Sequence, residues 1–355
     1  MTTADRPTVV LTGCGGTPTQ NVVRALEHAG AGYRIVGTDS DPYRLRLGTG
    51  YDDARYRVPP ADDPGYLRIL NRVIQAEGAV LVHAQPDPEV AVLSARRAEL
   101  AAPIRLPSPP VVALCHDKVD TKRWLAAAGV PTARFRPLRG PDDVDAAFES
   151  LGSPLWVRAT RGAGGRGALR VASPRHGRMW VEYWDGWGTF VAEEFLPGRN
   201  LGWQALYESG RLVASIAWER LVYVIRRAAP SGVTGTPALA RLIEDDAAHE
   251  VGARAVAAVD PLPHGIYGVD MKGRSDGTPC VTEINPGRFY EPSFLFARAG
   301  YPIARKHFEL ALGQKGGAVI PPRMRPEEDL YWMRGLDMTP VFMEGADLPA
   351  VGERV

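Results

Sequence analysis

Along residues 8–100, short β-branched and aliphatic runs alternate with longer stretches whose apolar positions recur every three or four residues. TVVLTG, YRIVGTDSD and AVLVHAQ read as strands, and NVVRALEHAG and GYLRILNRVIQAEG as amphipathic helices. That rhythm predicts a βαβαβ unit around a parallel sheet. Two proline clusters, PPADDP at 59–64 and PIRLPSPP at 103–110, predict a connecting loop and an interdomain linker. A new unit begins with HDKVDTKRWLAAAGVP, a helix pattern with Asp117 at its N-cap, Gly129 at its end and Pro131 beyond. PLWVRATRGAGGRGALRV (154–171) reads as strand, glycine-rich turn and strand, and VAEEFLPG (191–198) as another strand running into a turn. An Ala-rich helix is expected over 238–258 and a further helix over 293–312. Residues 178–190 carry three tryptophans with weak periodicity, which suits the filling of a small core. No internal repeat or low-complexity tract interrupts the pattern.

The segment GIYGVDMKGRSDGTPCVTEINPGR, starting at Gly265, carries the densest candidate chemistry. Asp276-Gly277 is a two-residue hairpin signal, and symmetric pairing outward from it sets Asp270 opposite Glu283. Alternation along the strand brings Asn285 to the same face, with Gly268 opposite it leaving space, while Val269, Met271 and Ile284 face a core. Two carboxylates and an amide oxygen form a hard-oxygen set suited to Mg²⁺ or Mn²⁺ carrying a nucleotide phosphate. The set holds no His or Cys, which argues against zinc. An amphipathic hairpin whose acids simply meet water is the plainer alternative.

Composition narrows the function classes. The 355 residues allow two or three packed units. With 42 basic and 41 acidic residues the net charge is +1, which gives no electrostatic footprint for nucleic acid or an anionic membrane. Three widely spaced cysteines suggest neither a disulfide framework nor a metal cage and fit a reducing cytoplasm. The start MTTADRPTVVLTG lacks a signal-peptide pattern, and no run of about 18 apolar residues occurs, so the expectation is a soluble cytoplasmic protein.

The turn Thr12-Gly13-Cys14-Gly15-Gly16 follows the first strand, and Asp39 ends the second, about where a dinucleotide fold keeps its ribose acid. Positions 13, 15 and 18 read Gly, Gly, Pro, so the third glycine of the NAD fingerprint is missing. An NAD-dependent oxidoreductase is therefore a minor alternative.

Taken in order, the motifs from Lys118 to Asn285 resemble those of the ATP-grasp superfamily, especially the arm related to carbamoyl phosphate synthase and biotin carboxylase. The resemblance covers roughly residues 8–312. It implies an α/β chain: an N-terminal Rossmann-like (pre-ATP-grasp) parallel-sheet domain (1–105), then a two-lobed α+β ATP-grasp unit. That unit comprises an N-lobe with a glycine-rich lid (106–195) and a C-lobe with the metal and substrate site (196–320), followed by a C-terminal extension (321–355). By this resemblance Lys118 and Arg158 contact ATP phosphates, and the loop containing Gly164, Gly165 and Arg166 covers them. Glu193 reaches the adenine edge with its side chain, and Glu194 and Leu196 offer backbone. Asn200 stands where many members hold the ribose with glutamate, seven residues beyond the hinge acid. Asp270, Glu283 and Asn285 hold Mg²⁺ or Mn²⁺. Arg288 stabilises the reacting groups together with Arg166, although Asn285-Pro286-Gly287-Arg288 puts an extra residue before that arginine.

The implied reaction is ligation of a small-molecule carboxylate to an amine through an acylphosphate, with release of ADP and phosphate. Arg220, Arg227 and Ser231 are the expected substrate contacts, being polar residues between hinge and hairpin. Neither nucleic acid nor membrane is an expected partner, and a homodimer is one assembly compatible with the reading. The alternatives are an ATP-dependent carboxylase or carbamate-phosphorylating enzyme, and a non-catalytic ATP-binding protein. The tail, including DLYWMRGLDMTPVFM, resembles an added strand pair on the grasp unit.

Overall fold

A computed structural model describes residues 6–47, 52–162, 164–314, 317–326, 330–335 and 350–354. The first unit holds strands β1 (Thr8–Thr12), β2 (Arg34–Asp39), β3 (Ala54–Arg57) and β4 (Leu81–His83), interleaved with helices α1 (Thr17–His28), α2 (Pro42–Leu47), α3 (Tyr66–Ala76) and α4 (Asp87–Ala95). Every pairing is parallel and the order is β3-β2-β1-β4. The β1 strand is buried along its whole length because helices cover both faces, as its unbroken TVVLT run demands. The sequence pattern anticipates this sheet apart from β3, which is short and rich in Arg and Tyr.

After α5 (Pro109–Cys115), helix α6 (Lys118–Ala127) starts as expected: the Asp117 carboxylate accepts from Val119 N at 3.0 Å and Asp120 N at 3.2 Å. A small antiparallel sheet follows, formed by β5 (Phe135–Leu138), β6 (Leu155–Ala159), β7 (Leu169–Val171) and β8 (Phe190–Glu194) in the order β5-β8-β6-β7. Helices α7 (Pro141–Leu151) and α8 (Pro174–Tyr183) cover it, and Trp180, Trp184 and Trp187 pack half-buried against its core.

The third unit is a six-stranded sheet with the order β13-β12-β9-β10-β11-β14. Its strands are β9 (Asn200–Glu208), β10 (Arg211–Tyr223), β11 (Pro237–Ile243), β12 (Gly265–Gly273), β13 (Pro279–Pro286) and β14 (Tyr331–Met333), joined by helices α9 (Asp246–Val259), α10 (Ser293–Arg298) and α11 (Ile303–Ala311). Two sequence expectations need correction here. Residues 238–243 belong to a strand, because they pair along β10 and the helix begins only where Asp245 caps Ala248 N at 2.9 Å. The helix expected over 293–312 is two helices, broken where Gly300 takes a φ of 76° and Pro302 cannot continue the turn. The tail adds β14 to the edge of β11, and the second strand expected there falls outside the described residues. All three cysteines are free and buried, and among the described residues no helix is long and apolar enough to cross a membrane.

Candidate active site

The β12–β13 hairpin sets Asp270 opposite Glu283 and Gly268 opposite Asn285. The route to that register differs from the symmetric one expected. The turn spans three residues, closed by Arg274 N to Thr278 O at 2.9 Å with Gly277 at a φ of 88°. That turn alone would shift every partner by one, and a bulge at Thr282 restores the pairing. The bulge also frees the Thr282 carbonyl, which accepts from Arg158 Nη2 at 2.8 Å. The space expected beside Gly268 is filled by the Tyr290 ring, 2.6 Å from where a Cβ would stand.

The acidic face looks into a cavity of about 540 Å³ between the two sheets, a size suited to a small-molecule ligand. Lys118, Arg158, Gly164, Gly165, Arg166, Glu193, Glu194, Leu196, Asn200, Arg220, Ser231, Asp270, Glu283 and Arg288 all line it, so chain segments far apart in sequence converge on one space. Asn285 sits just behind this wall, buried, with Nδ2 3.1 Å from Asp270 Oδ2 and Oδ1 2.5 Å from Arg288 Nη2. Arg227 is exposed on a short turn outside the lining, which removes it from the expected substrate contacts.

Cations and anions inside the cavity are paired. Lys118 Nζ lies 3.4 Å from Glu283 Oε2 and donates to Gly162 O at 2.7 Å. Arg158 Nε donates to Glu193 Oε1 at 2.8 Å, and its Nη1 lies 3.8 Å from Glu283. Burial would raise the Glu283 carboxyl, but Lys118, Arg158 and Arg288 outweigh it and hold the group well below the usual carboxylate range. Asp270 shifts the other way, because burial and the neighbouring Glu283 charge outweigh Arg220. The two neighbouring carboxyls thus shift in opposite directions, and a divalent cation between them would favour the charged form of both.

Two side chains, Glu193 and Arg220, depart from their expected roles. Glu193 is almost fully buried with Arg158 on one oxygen and Lys122 Nζ 3.4 Å from the other, so its carboxylate neutralises cations rather than presenting itself to a base edge. Glu194 is held by Arg134 and Arg274, both at 2.9 Å. Arg220, expected to contact substrate, forms an ion pair with Asp270 across β9, reaches Asn200 Oδ1 at 3.3 Å, and stacks on Trp218 with its guanidinium carbon 4.3 Å from the ring centre. Asn200 in turn donates to Tyr223 Oη at 2.6 Å. Arg166 rests over the Trp184 ring at 5.6 Å.

A divalent cation fits this donor set by chemistry. Among the described residues no three His, Cys, Asp or Glu side chains are arranged to hold an ion, so a cation here would rest on Asp270 and Glu283. The Asn285 amide would contribute its oxygen only after a half-turn away from Arg288, and phosphate oxygens would supply the remaining ligands.

The N-terminal turn is built differently. A Cβ at Gly15 would stand 2.0 Å from the Arg44 carbonyl oxygen, and one at Gly13 2.5 Å from Pro86 Cγ. The Asp39 carboxylate accepts from Gly15 N at 3.1 Å and Asp41 N at 3.0 Å. The two glycines are thus packed against the protein's own atoms, and the acid serves the turn, which argues against the NAD alternative.

Sequence reasoning missed Gln85, Asp87, Lys122 and Glu291. The first two follow β4, and polar residues beyond the carboxyl end of a parallel strand are a recognised position for function in such sheets. Lys122 carries no signal beyond its place one turn after Lys118. Glu291 accepts from Thr17 Oγ1 at 2.9 Å and Thr236 Oγ1 at 3.1 Å and pairs with Arg334 beyond β14, contacts that only the assembled fold creates.

No family model matches the chain. The N5-carboxyaminoimidazole ribonucleotide synthase of Mycobacterium tuberculosis strain H37Rv is 28% identical over 182 residues, 50% of this chain and 41% of that protein. The aligned region thus spans about two fifths of that relative's length. The structure of N5-carboxyaminoimidazole synthetase from Staphylococcus aureus complexed with ADP superposes with a TM-score of 0.70 at 16% identity, covering 92% of this chain and 81% of that one. That of L-amino acid ligase from Bacillus licheniformis gives 0.66 at 14% identity, covering 89% and 78%. These likenesses show that the chain shares the fold of the N5-carboxyaminoimidazole synthetase structure, with an ATP-grasp-like two-lobed α+β architecture.

Proposed function

We propose that the chain is an ATP-dependent ligase that activates a small carboxylate as its acylphosphate and transfers the acyl group to an amine, releasing ADP and phosphate. The observation that carries this reading is the Glu283 carboxylate, held ionised by Lys118, Arg158 and Arg288 beside Asp270 at the centre of one cavity. Phosphoryl transfer between two anions demands positioning and charge neutralisation more than covalent help.

ATP would lie with its base toward the Glu193–Leu196 wall and its phosphates under Gly164, Gly165 and Arg166. Bound at Asp270, Glu283 and Asn285, Mg²⁺ or Mn²⁺ would supply neutralisation of phosphate charge. Lys118 and Arg158 would turn from Glu283 toward phosphate oxygens, and Arg166 would add charge from above. Arg288 would stabilise the attacking carboxylate and the oxyanion formed when the amine adds. The glycine-rich loop would keep water from the acylphosphate.

The likeness to N5-carboxyaminoimidazole ribonucleotide synthase supports a second reading, carboxylation of a small amine through phosphorylated bicarbonate. Pro18, Ser231, Thr236 and Glu291 also line the cavity, and they would border an organic acid and an amine in the first reading or the amine alone in the second. The discriminating experiment incubates the protein with ATP, Mg²⁺, a pool of amino acids and small carboxylates, and hydroxylamine, and follows nucleotides and hydroxamates by mass spectrometry. ADP with a substrate-dependent hydroxamate is expected. Bicarbonate-dependent ADP without hydroxamate selects the second reading, and AMP overturns both.

A further inference from the structure

Resting on the role proposed for Arg288, we infer that Gln85 and Asp87 of the N-terminal sheet unit are positioning residues that hold this arginine in its working place.

Strand β13 ends at Pro286, and Gly287 turns the chain with a φ of 87°. This is the extra residue noted before the arginine. The turn swings Arg288 back so that Nη2 meets Asn285 Oδ1 at 2.5 Å. On the strand side the detour is held by Gly287 N, which donates to Ile266 O at 2.7 Å, and by Gln204 Nε2, which donates to Arg288 O at 3.2 Å, and the N-terminal unit adds a hold at three successive residues. A Cβ on Gly287 would stand 2.9 Å from Val90 Cγ1 of α4, so the turn lies flat on that helix. Arg288 Nε is ion-paired with Asp87, the first residue of α4. Phe289 is gripped through its backbone: Gln85 Nε2 donates to its carbonyl at 2.5 Å, and its N–H donates to Gln85 Oε1 at 3.2 Å. The Gln85 amide is itself fixed by His83 Nε2, 3.1 Å from Oε1, and its backbone N–H donates to Thr12 Oγ1 at 3.2 Å.

The ion pair with Asp87 and the bond to Asn285 engage two different nitrogens of the guanidinium, Nε and Nη2, and together fix its plane. An arginine tethered at one nitrogen can pivot; one tethered at two cannot. The parallel sheet that resembles a dinucleotide-binding unit thus acts as a brace, with the carboxyl end of β4 reaching the reacting end of the cavity through Gln85 and Asp87.

The test compares wild type, Asp87→Ala, Asp87→Asn, Gln85→Ala, Arg288→Ala and Arg288→Ala/Asp87→Ala. Two readouts are used: steady-state ADP formation with the amino acid and carboxylate pool, and the ¹⁵N resonance of the Arg288 Nε–H, assigned by its loss in Arg288→Ala. Asp87→Ala and Gln85→Ala are expected to lower kcat about 100-fold, the penalty of a group misplaced by roughly an ångström, with KM for ATP within about twofold. Asp87→Asn, keeping shape but not charge, should fall between. In the Arg288→Ala background Asp87→Ala should change nothing further. The Nε–H signal should be sharp and slow to exchange in wild type and lost in Asp87→Ala. An unchanged Nε–H signal and unchanged kcat in Asp87→Ala would overturn the inference while leaving the reading of Arg288 intact. Full activity in Arg288→Ala would overturn that reading and this inference with it. If the pool supports no ADP formation in wild type, the substrate assignment fails and the resonance alone decides the positioning.

Discussion

Two glycine-rich turns, 12–16 and 162–167, look alike in sequence, but only the second borders the cavity. At the first, the absent Cβ atoms make room for the protein's own backbone, with the Arg44 carbonyl oxygen 2.0 Å from the Gly15 position. At the second, nothing lies within 4 Å of the Gly162 position, the Val233 carbonyl oxygen stands 2.5 Å from the Gly165 position, and Gly162, Gly164 and Gly165 border the cavity. The acids near each turn divide in the same way. Asp39 spends its oxygens on backbone N–H groups of its own turn, whereas Glu283 faces the cavity among three cations. A glycine cluster therefore marks close approach, and only its neighbours say whether protein or ligand does the approaching.

The sharpest way to break this comparison is to remove the acid on the cavity side. Glu283→Gln should lower ADP formation by about a thousandfold or more while leaving the far-ultraviolet circular dichroism unchanged, since the charge that balances Lys118 and Arg158 is lost with little change of shape. Asp39→Asn should leave ADP formation at the wild-type level.

Next in size is a contrast in stability. Gly15→Ala should lower the thermal midpoint by about 5 to 10 °C because a backbone carbonyl must move to admit the methyl group. Gly162→Ala should lower it by only about 2 °C, the strain of its φ alone, since the methyl group meets open space. Equal losses would erase the distinction between the turns.

Glu89 sharpens the picture of the N-terminal unit as packed interior. It lies on α4, and burial pushes its carboxyl up to about 7, with the nearby Asp39 charge adding to the rise and the Thr12 and Tyr66 hydroxyls opposing it. A carboxyl whose folded value is raised favours the folded state when protonated. That contribution is full below its unfolded value of about 4.5 and is lost as pH rises through 7. Glu89→Gln should therefore be more stable than wild type at pH 8, by up to about 3 kcal/mol, with the advantage shrinking to nothing below pH 4.5. Denaturant midpoints measured across that range check the sign. A smaller effect than at Glu89 is expected at Asp39→Ala, where loss of two backbone hydrogen bonds should cost about 1 to 2 kcal/mol.

Much of the parallel unit was legible because alternating strands and amphipathic helices follow local periodicity. The Asp270–Glu283 pairing was legible for a less secure reason: the turn is one residue longer than expected, and the Thr282 bulge compensates. A bulge leaves no mark in the local pattern, so the correct register rested on two departures that cancel. The Arg220–Asp270 pair was not legible, because it depends on β9 lying between β10 and β12, an order that no single segment encodes. Glu193 stood out as a hinge acid, but its burial between Arg158 and Lys122 depends on α6, which packs against α9 and β13 and brings Lys122 to β8. The 238–243 strand was hidden because its Ala and Leu residues suit a helix, and pairing with β10 overrides that preference.

The measurement that bears most directly on the account is photolabelling with 2-azido-ATP and Mg²⁺, followed by mapping of the labelled peptides. Label confined to peptides from the cavity walls, around Arg158 and Glu193 to Asn200, and competed by ATP, is the expected result. Label on the peptides carrying Gly13 to Asp39 would place the nucleotide at the N-terminal turn and contradict the account.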